Sequence, residues 1–316
     1  MCDVKKIADY LLENNNYYIV VHKNPDGDCL GSAKAMCLAI RQIGKNAKIV
    51  LPNAVSKRLE FMWDIGLEQG DFPCVTAVFV DVASLGQMGQ LYDSVFKSAP
   101  KSICIDHHGT NSGFADLNLI DGTSAATGEL IYDIITEMNI SLTEDIAKAL
   151  LVSVADDTGS FQYSNTTAKT HAVASELYRI IPDSEPIMRA LYGTHTINEI
   201  EVLKLIIPSF EYHLNGKVCF VTADVAQIEK IGADRSNIDA WIGLPRSVEG
   251  VEVAAVFKII SPNEIKVSFR SNDYVDVSSL AKNLGGGGHI RASGTTLNDT
   301  IDIAKKKVLA LLEKLV

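Results

Sequence analysis

The chain reads as an α/β protein: an N-terminal parallel-sheet domain with helices on both faces, then a smaller C-terminal α+β domain. Two observations predict this. The N-terminal half alternates short, continuous apolar runs with amphipathic helical stretches, the mark of a parallel sheet. Beyond residue 208 the pattern turns to hairpins, with Asn215-Gly216 and Ser261-Pro-Asn263 as turn signals. The length of 316 residues, 47% hydrophobic and 22% charged, suits two ordinary globular domains.

In chain order, residues 3–14 predict a helix, with Ile7, Ala8, Leu11 and Leu12 on one face. Residues 17–22 form an apolar run suited to a strand buried on both faces. A polar loop, 23–28, leads to a helix from about Leu30 to Ile43, stopped by Gly44, and then a strand at 47–51. Further strands are expected at 76–80 and 101–105. Helices follow at 124–139 and 143–155, with Ser124 and Thr143 as N-caps. More helices are expected at 167–181, 185–191 and 198–207. The second half offers hairpins 210–214/218–222 and 251–260/264–270, a short helix at 277–283, a glycine run at 285–288 and a last helix at 300–315. The expected division is 1–182, a helical connector 183–208, and 209–316.

The formal net charge of −10 disfavours a grip on long duplex nucleic acid, which usually needs a basic face. It favours a small anionic substrate or a chain end. The six cysteines form no C-x-x-C pair and lie mostly in apolar runs, as expected of reduced thiols in a cytoplasmic protein. No apolar run is long enough to span a bilayer, so no membrane partner is expected.

The chemistry concentrates where apolar elements stop. Ligands gather at the carboxyl ends of parallel strands. There stand His22, Asp26 and Asp28, then Asp81, then Asp106-His107-His108. Asp156 and Asp157 come at the end of a helix, where carboxylates oppose the negative end of the dipole unless a cation is near. One of this pair is expected to be a ligand, with Asp157 preferred. Pro25 and Gly27 shape the first turn so that His22 and Asp26 could reach one ion and Asp28 its neighbour. Asn-Pro-Asp-Gly alone, however, is common turn chemistry. Two cations about 3.5–4 Å apart need a bridging carboxylate, and Asp81 is placed for that. Of the two adjacent histidines, one can ligate while the other contacts substrate, and Asp106 suits the orienting of an imidazole. Imidazole with carboxylate oxygens matches Mn²⁺, and Mg²⁺ or Co²⁺ less well. In the second half, Arg270, Gly286, Gly287, Gly288, His289 and Arg291 suggest an anion or nucleotide pocket.

Together these residues resemble the DHH/DHHA1 phosphoesterase family, and within it the nanoRNase group. The match rests on His22-x-x-Pro25-Asp26-x-Asp28, Asp81, Asp106-His107-His108, Asp157-Thr158-Gly159 and Gly285-Gly-Gly-Gly-His289 with Ala292-Ser-Gly294. It implies two Mn²⁺ ions, one on His22, Asp26 and Asp81, the other on Asp28, Asp81, His107 and Asp157. His108 would face the scissile phosphate, and Arg270, His289 and the glycine backbone would hold the substrate's other end. The implied activity is hydrolysis of short oligoribonucleotides to mononucleotides and removal of the 3′-phosphate of 3′-phosphoadenosine 5′-phosphate (pAp). Hydrolysis of cyclic di-AMP or pApA is the alternative, and a catalytically silent nucleotide-binding module the second. A homodimer is suggested by family analogy alone.

Overall fold

The structure is a computed structural model that describes residues 3–52, 54–62, 70–88, 99–233, 237–238, 241–288 and 290–316. The chain divides into two compact units, Met1–Thr194 and His195–Val316. The segment 183–208, expected as a connector, is shared between them.

In the first unit, α1 (Val4–Glu13) precedes β1 (Tyr17–Val20), α2 (Gly27–Gln42) and β2 (Ala47–Val50). Then come β3 (Thr76–Val80), β4 (Lys101–Asp106) and β5 (Leu117–Ile120). Four helices complete it: α3 (Thr127–Glu137), α4 (Glu144–Asp157), α5 (Ala168–Ile180) and α6 (Glu185–Met188). The five described strands are all parallel, in the order β2-β1-β3-β4-β5. Side chains alternate across the pleat. Ile19, Val78, Val80, Ile103 and Ile105 join the core built with α1 to α5. Val20, Ala77, Phe79 and Cys104 pack on the other face, with Met88 of the 3₁₀ turn Leu85–Met88.

Two differences from the expected boundaries matter for function. α2 begins at Gly27, because the Asp26 side chain caps it by accepting from the Cys29 N–H at 3.0 Å. Asp28 is therefore in the first turn of a helix, where a loop was expected. Likewise α4 runs through Asp157, so Asp156 and Asp157 are its last residues and do not follow it. Thr143 caps α4 as expected. Ser124 does not cap α3: that helix starts after Ala126, with no capping side chain of its own. Its first amides are taken by a carboxylate from another element, described below.

In the second unit, α7 (Ile197–Ile206) leads to β6 (Glu211–His213), β7 (Val218–Asp224), α8 (Val225–Lys230), β8 (Val253–Ser261) and β9 (Glu264–Ser271). α9 (Val277–Asn283), β10 (Gly287–Gly288), β11 (Ala292–Leu297) and α10 (Ile301–Leu312) follow. The described sheet has the order β10-β11-β9-β8-β7-β6. Both expected hairpins form. β7 and β8, however, pair in parallel, not in the antiparallel manner expected of this half, because the long connection through α8 crosses over. α9 and α10 cover one face of the sheet, α7 and α8 the other. All five described cysteines are free thiols. Among the described residues, no helix is long and apolar enough to cross a membrane.

Candidate metal centre

The centre is assembled at the carboxyl ends of β1, β3 and β4 and at the ends of three helices. Asp81 follows β3 directly. It is buried, at 2% exposure, and its backbone is left-handed with φ 58°. That region is sparsely used by non-glycine residues, although aspartate tolerates it better than most. Its N–H donates to the Ile105 carbonyl at 3.0 Å, which ties the turn to β4. The turn brings the carboxylate inward with its two oxygens separated in direction. Oδ2 lies 3.6 Å from His22 Nε2. Oδ1 lies 3.8 Å from His107 Nε2 and 3.5 Å from His108 Nδ1. Thr127 Oγ1 donates to the same Oδ1 at 2.9 Å.

Both imidazoles are oriented by backbone. His22 Nδ1 meets the Lys23 carbonyl at 3.0 Å, and His107 Nδ1 meets the Ser124 carbonyl at 3.2 Å. A carbonyl only accepts, so Nδ1 carries a proton in each ring, and Nε2 is the nitrogen that can serve as a ligand once its own proton is displaced. Those two Nε2 atoms are the ones that face carboxylates. His22 Nε2 also lies 3.8 Å from Asp26 Oδ1. His107 Nε2 lies 3.7 Å from Asp28 Oδ2 and 3.2 Å from Asp157 Oδ2. Potential ligand atoms of Asp28, His107 and Asp157 thus fall within 4.8 Å of one another, as do those of Asp81, His107 and His108 and those of His22, Cys29 and Asp81. Spacings of 3.2–3.8 Å gather anionic and imidazole groups around one centre, a donor set suited to cations.

Asp28 is the most enclosed member, at 1% exposure. Its Oδ2 accepts from the Thr127 N–H at 2.8 Å, and its Oδ1 from the Gly128 N–H at 3.2 Å, so it caps α3 across the chain. Ser32 Oγ at 3.0 Å and Ser153 Oγ at 2.5 Å also donate to Oδ1. Burial, and then the charge of Asp81, push its pKa up to about 7. Burial and the neighbouring charge of Asp28 raise Asp157 well above the usual carboxylate range. Burial alone would lower His22 and His107, but the surrounding carboxylates outweigh it and raise both. The cluster is an excess of buried negative charge that takes up protons, and divalent cations fit it. Cys29 fits less well as a ligand. Burial pushes its thiol up to about 12, and Sγ donates to the Val80 carbonyl at 3.4 Å.

Asp106 and Asp156 stand behind these groups. Asp106 is fully buried, its Oδ1 2.6 Å from His108 Nδ1 and its Oδ2 2.7 Å from Asn111 Nδ2. Burial works to raise Asp106, yet the bond to His108 holds it below the usual range. Asp156 accepts from the Gly27 N–H at 2.7 Å and from Arg58 Nη2 at 2.6 Å. It thereby ties the start of α2 to the end of α4. Asn165 Nδ2 donates to the Asp157 carbonyl at 3.0 Å and to the Ala125 carbonyl at 2.9 Å.

The candidates of the second unit are arranged differently. Arg270, on β9, donates from Nη1 to the Phe269 carbonyl at 2.9 Å. Arg291 donates to the Val275 carbonyl at 2.9 Å and to the Asp273 carbonyl, so its guanidinium braces the loop 272–276, where a phosphate fork was expected. Buried Glu252 clasps the same loop by accepting from the amides of Asp273, Tyr274 and Val275. A Cβ at Gly286 would lie 2.1 Å from the Gly294 carbonyl oxygen, and one at Gly288 2.5 Å from Ser293 Cα. These two glycines are required by the close approach of β11, whereas a Cβ at Gly287 meets none of the described residues within 4 Å. His289 lies outside the described residues. Thr127, Ser32, Ser153, Asn111, Asn165 and Arg58 had no sequence signal. Each acts through a partner between 4 and 125 positions away.

Sequence comparison agrees with this geometry. Residues 16–154 match the DHH family N-terminal domain, and residues 215–316 match the DHHA1 domain. The chain belongs to the DHH/DHHA1 phosphoesterase family and is a hydrolase. Among its relatives, the bifunctional oligoribonuclease and PAP phosphatase NrnA of Thermus thermophilus is 33% identical, over 92% of this chain and 87% of that one. The protein of the same name from Bacillus subtilis is 28% identical, over 88% and 89% of the two chains. An exopolyphosphatase-related protein from Bacteroides fragilis shares the fold, with a TM-score of 0.88 at 22% identity, over 98% of this chain and 95% of that one.

Proposed function

We propose that the protein is a two-metal phosphoesterase that degrades short oligoribonucleotides to mononucleotides and removes the 3′-phosphate of pAp. The observation that carries this reading is Asp81, whose two oxygens are turned toward different histidines, His22 and His107. His22, Asp26 and Asp81 would hold one ion. Asp28, Asp81, His107 and Asp157 would hold the other, and Mn²⁺ suits the donor set best. When bound, the ions supply Lewis acidity at the phosphoryl group and make water a nucleophile near neutral pH.

The remaining work belongs to the chain. The bond from Asp106 fixes the His108 ring with Nδ1 protonated and, against the effect of burial, raises its pKa. His108 can therefore present positive charge to an equatorial phosphoryl oxygen as negative charge builds there. Arg270, His289 and the backbone of Gly286 to Gly288 would hold the substrate's distal phosphate or terminal nucleotide. The NrnA relatives, named for oligoribonuclease and PAP phosphatase activities, support this substrate class.

The test is a side-by-side panel of pAp, di- to pentaribonucleotides, pApA and cyclic di-AMP, with Mn²⁺ and with a chelator. Turnover of pAp and the short ribonucleotides that stops on chelation is expected. Preference for cyclic di-AMP would overturn the substrate assignment. Binding of nucleotides without any product would overturn the catalytic one.

A further inference from the structure

Beside the end of α4, Tyr163, Tyr192 and Arg58 of the first unit lie near one another, with Arg58 also holding Asp156. Tyr192 sits in the helical turn Arg189–Gly193, and its hydroxyl donates to the Ala155 carbonyl. Arg58, in the 3₁₀ turn Lys57–Met62, holds Asp156 and places its Cζ 5.8 Å from the centre of the Tyr192 ring. Tyr163 lies over Gly159, so closely that a methyl group at Gly159 would come within 2.3 Å of its Cζ. Gly159 is also left-handed, at φ 55°, so glycine is favoured there twice over. The rings are not spent on the core: Tyr163 is 46% exposed and Tyr192 37% exposed. Both are anchored to the residues that flank Asp157, through Ala155 on one side and Gly159 on the other.

Anchored aromatic faces beside an arginine plane, next to a phosphoryl-transfer centre, suit one kind of ligand group: an unpaired nucleobase. We infer that Tyr163, Tyr192 and Arg58 form a stacking platform for the base of a nucleotide joined to the scissile phosphate. This rests on the proposed nucleotide substrate and deepens it. A platform of this kind tolerates any base and excludes a paired one, because a duplex keeps both faces of each base covered. It would therefore set the requirement for short single strands from within the first unit.

Two measurements test it. In chelator, with no hydrolysis, the fluorescence of a 2-aminopurine-containing diribonucleotide should be quenched by the wild type. It should be quenched equally by Tyr163→Phe and Tyr192→Phe, but not by Tyr163→Leu with Tyr192→Leu. With Mn²⁺, the wild type should show a KM about ten-fold or more higher for a dinucleotide from which one base has been removed, each position tried in turn, with kcat little changed. That second measurement needs no variant, so it holds even if the leucine protein folds poorly. Equal quenching by the leucine and wild-type proteins, or equal KM with and without either base, would overturn the platform. Quenching without hydrolysis of any ribonucleotide would instead overturn the proposed function and leave the platform standing.

Discussion

Asp81 concentrates the physics of the centre in one residue. It combines burial, left-handed backbone and two oppositely directed oxygens. Strain of about 1–3 kcal/mol at such a position persists only where the surroundings hold it, as the bond to Ile105 and the contact with Thr127 do here. An alanine substitution would confound loss of charge with strain. Asp81→Asn separates them, since asparagine also tolerates the left-handed region. We expect this variant to melt no lower than wild type in chelator, to lose turnover entirely and to retain less manganese after dialysis. Unchanged turnover and metal content would remove Asp81 from its bridging position.

The helix termini then set the pattern of charge. α2 and α3 both point their amino ends at carboxylates, Asp26 on the first and Asp28 on the second. That arrangement is favourable. α4 does the reverse, ending on Asp156 and Asp157. Arg58 compensates the first of these, and a bound cation would compensate the second. The joint between α2 and α4 has no slack. A Cβ at Gly27 would lie 2.6 Å from Cβ and Cγ of Asp156. Gly27→Ala should therefore cost about 1–3 kcal/mol of stability and weaken metal binding by displacing Asp26 and Asp28 together. Gly70→Ala, where no atom of the described residues lies within 4 Å of the added Cβ, is the control expected to melt as wild type. Thermal melts and manganese titrations of both variants check this, and equal behaviour of the two would show that the joint yields.

For the molecule as a whole, the centre couples stability to pH and metal. Asp28, raised to about 7, keeps a proton in the folded metal-free protein that the unfolded chain has already released. Asp157 is raised in the same sense. A group that binds protons more tightly when folded loses its contribution as pH rises, so Asp28 makes the metal-free protein progressively less stable as pH rises from about 4 to about 7, and Asp157 acts in the same direction. A divalent ion must displace the same protons, together with those on the raised histidines. The rise in melting temperature on adding Mn²⁺ should therefore grow as pH increases toward neutrality. Differential melts at several pH values measure it, and an increment independent of pH would show that the ion binds elsewhere.

The two architectures, most helices and strands, and the concentration of His22, Asp26, Asp28, Asp81, His107 and Asp157 were legible in the linear chain. Periodicity is a local property, and in a parallel sheet ligand-binding groups gather at the carboxyl ends of the strands. Two boundaries were not legible. Asp28 entered a helix through a local cap, Asp26 on the Cys29 N–H, that also reads as turn chemistry; Ser124 gave way to Asp28 as the cap of α3 through bonds made across about a hundred residues. The reach of Arg291 to the Asp273 and Val275 carbonyls exists only once β9 and β11 are paired. Residue types and spacing thus announced the chemistry. Only the packed chain decided which oxygen of Asp81 faces which histidine, and that Tyr192 and Arg58 gather beside Asp156. Those relations are set by long-range contacts that no local pattern encodes.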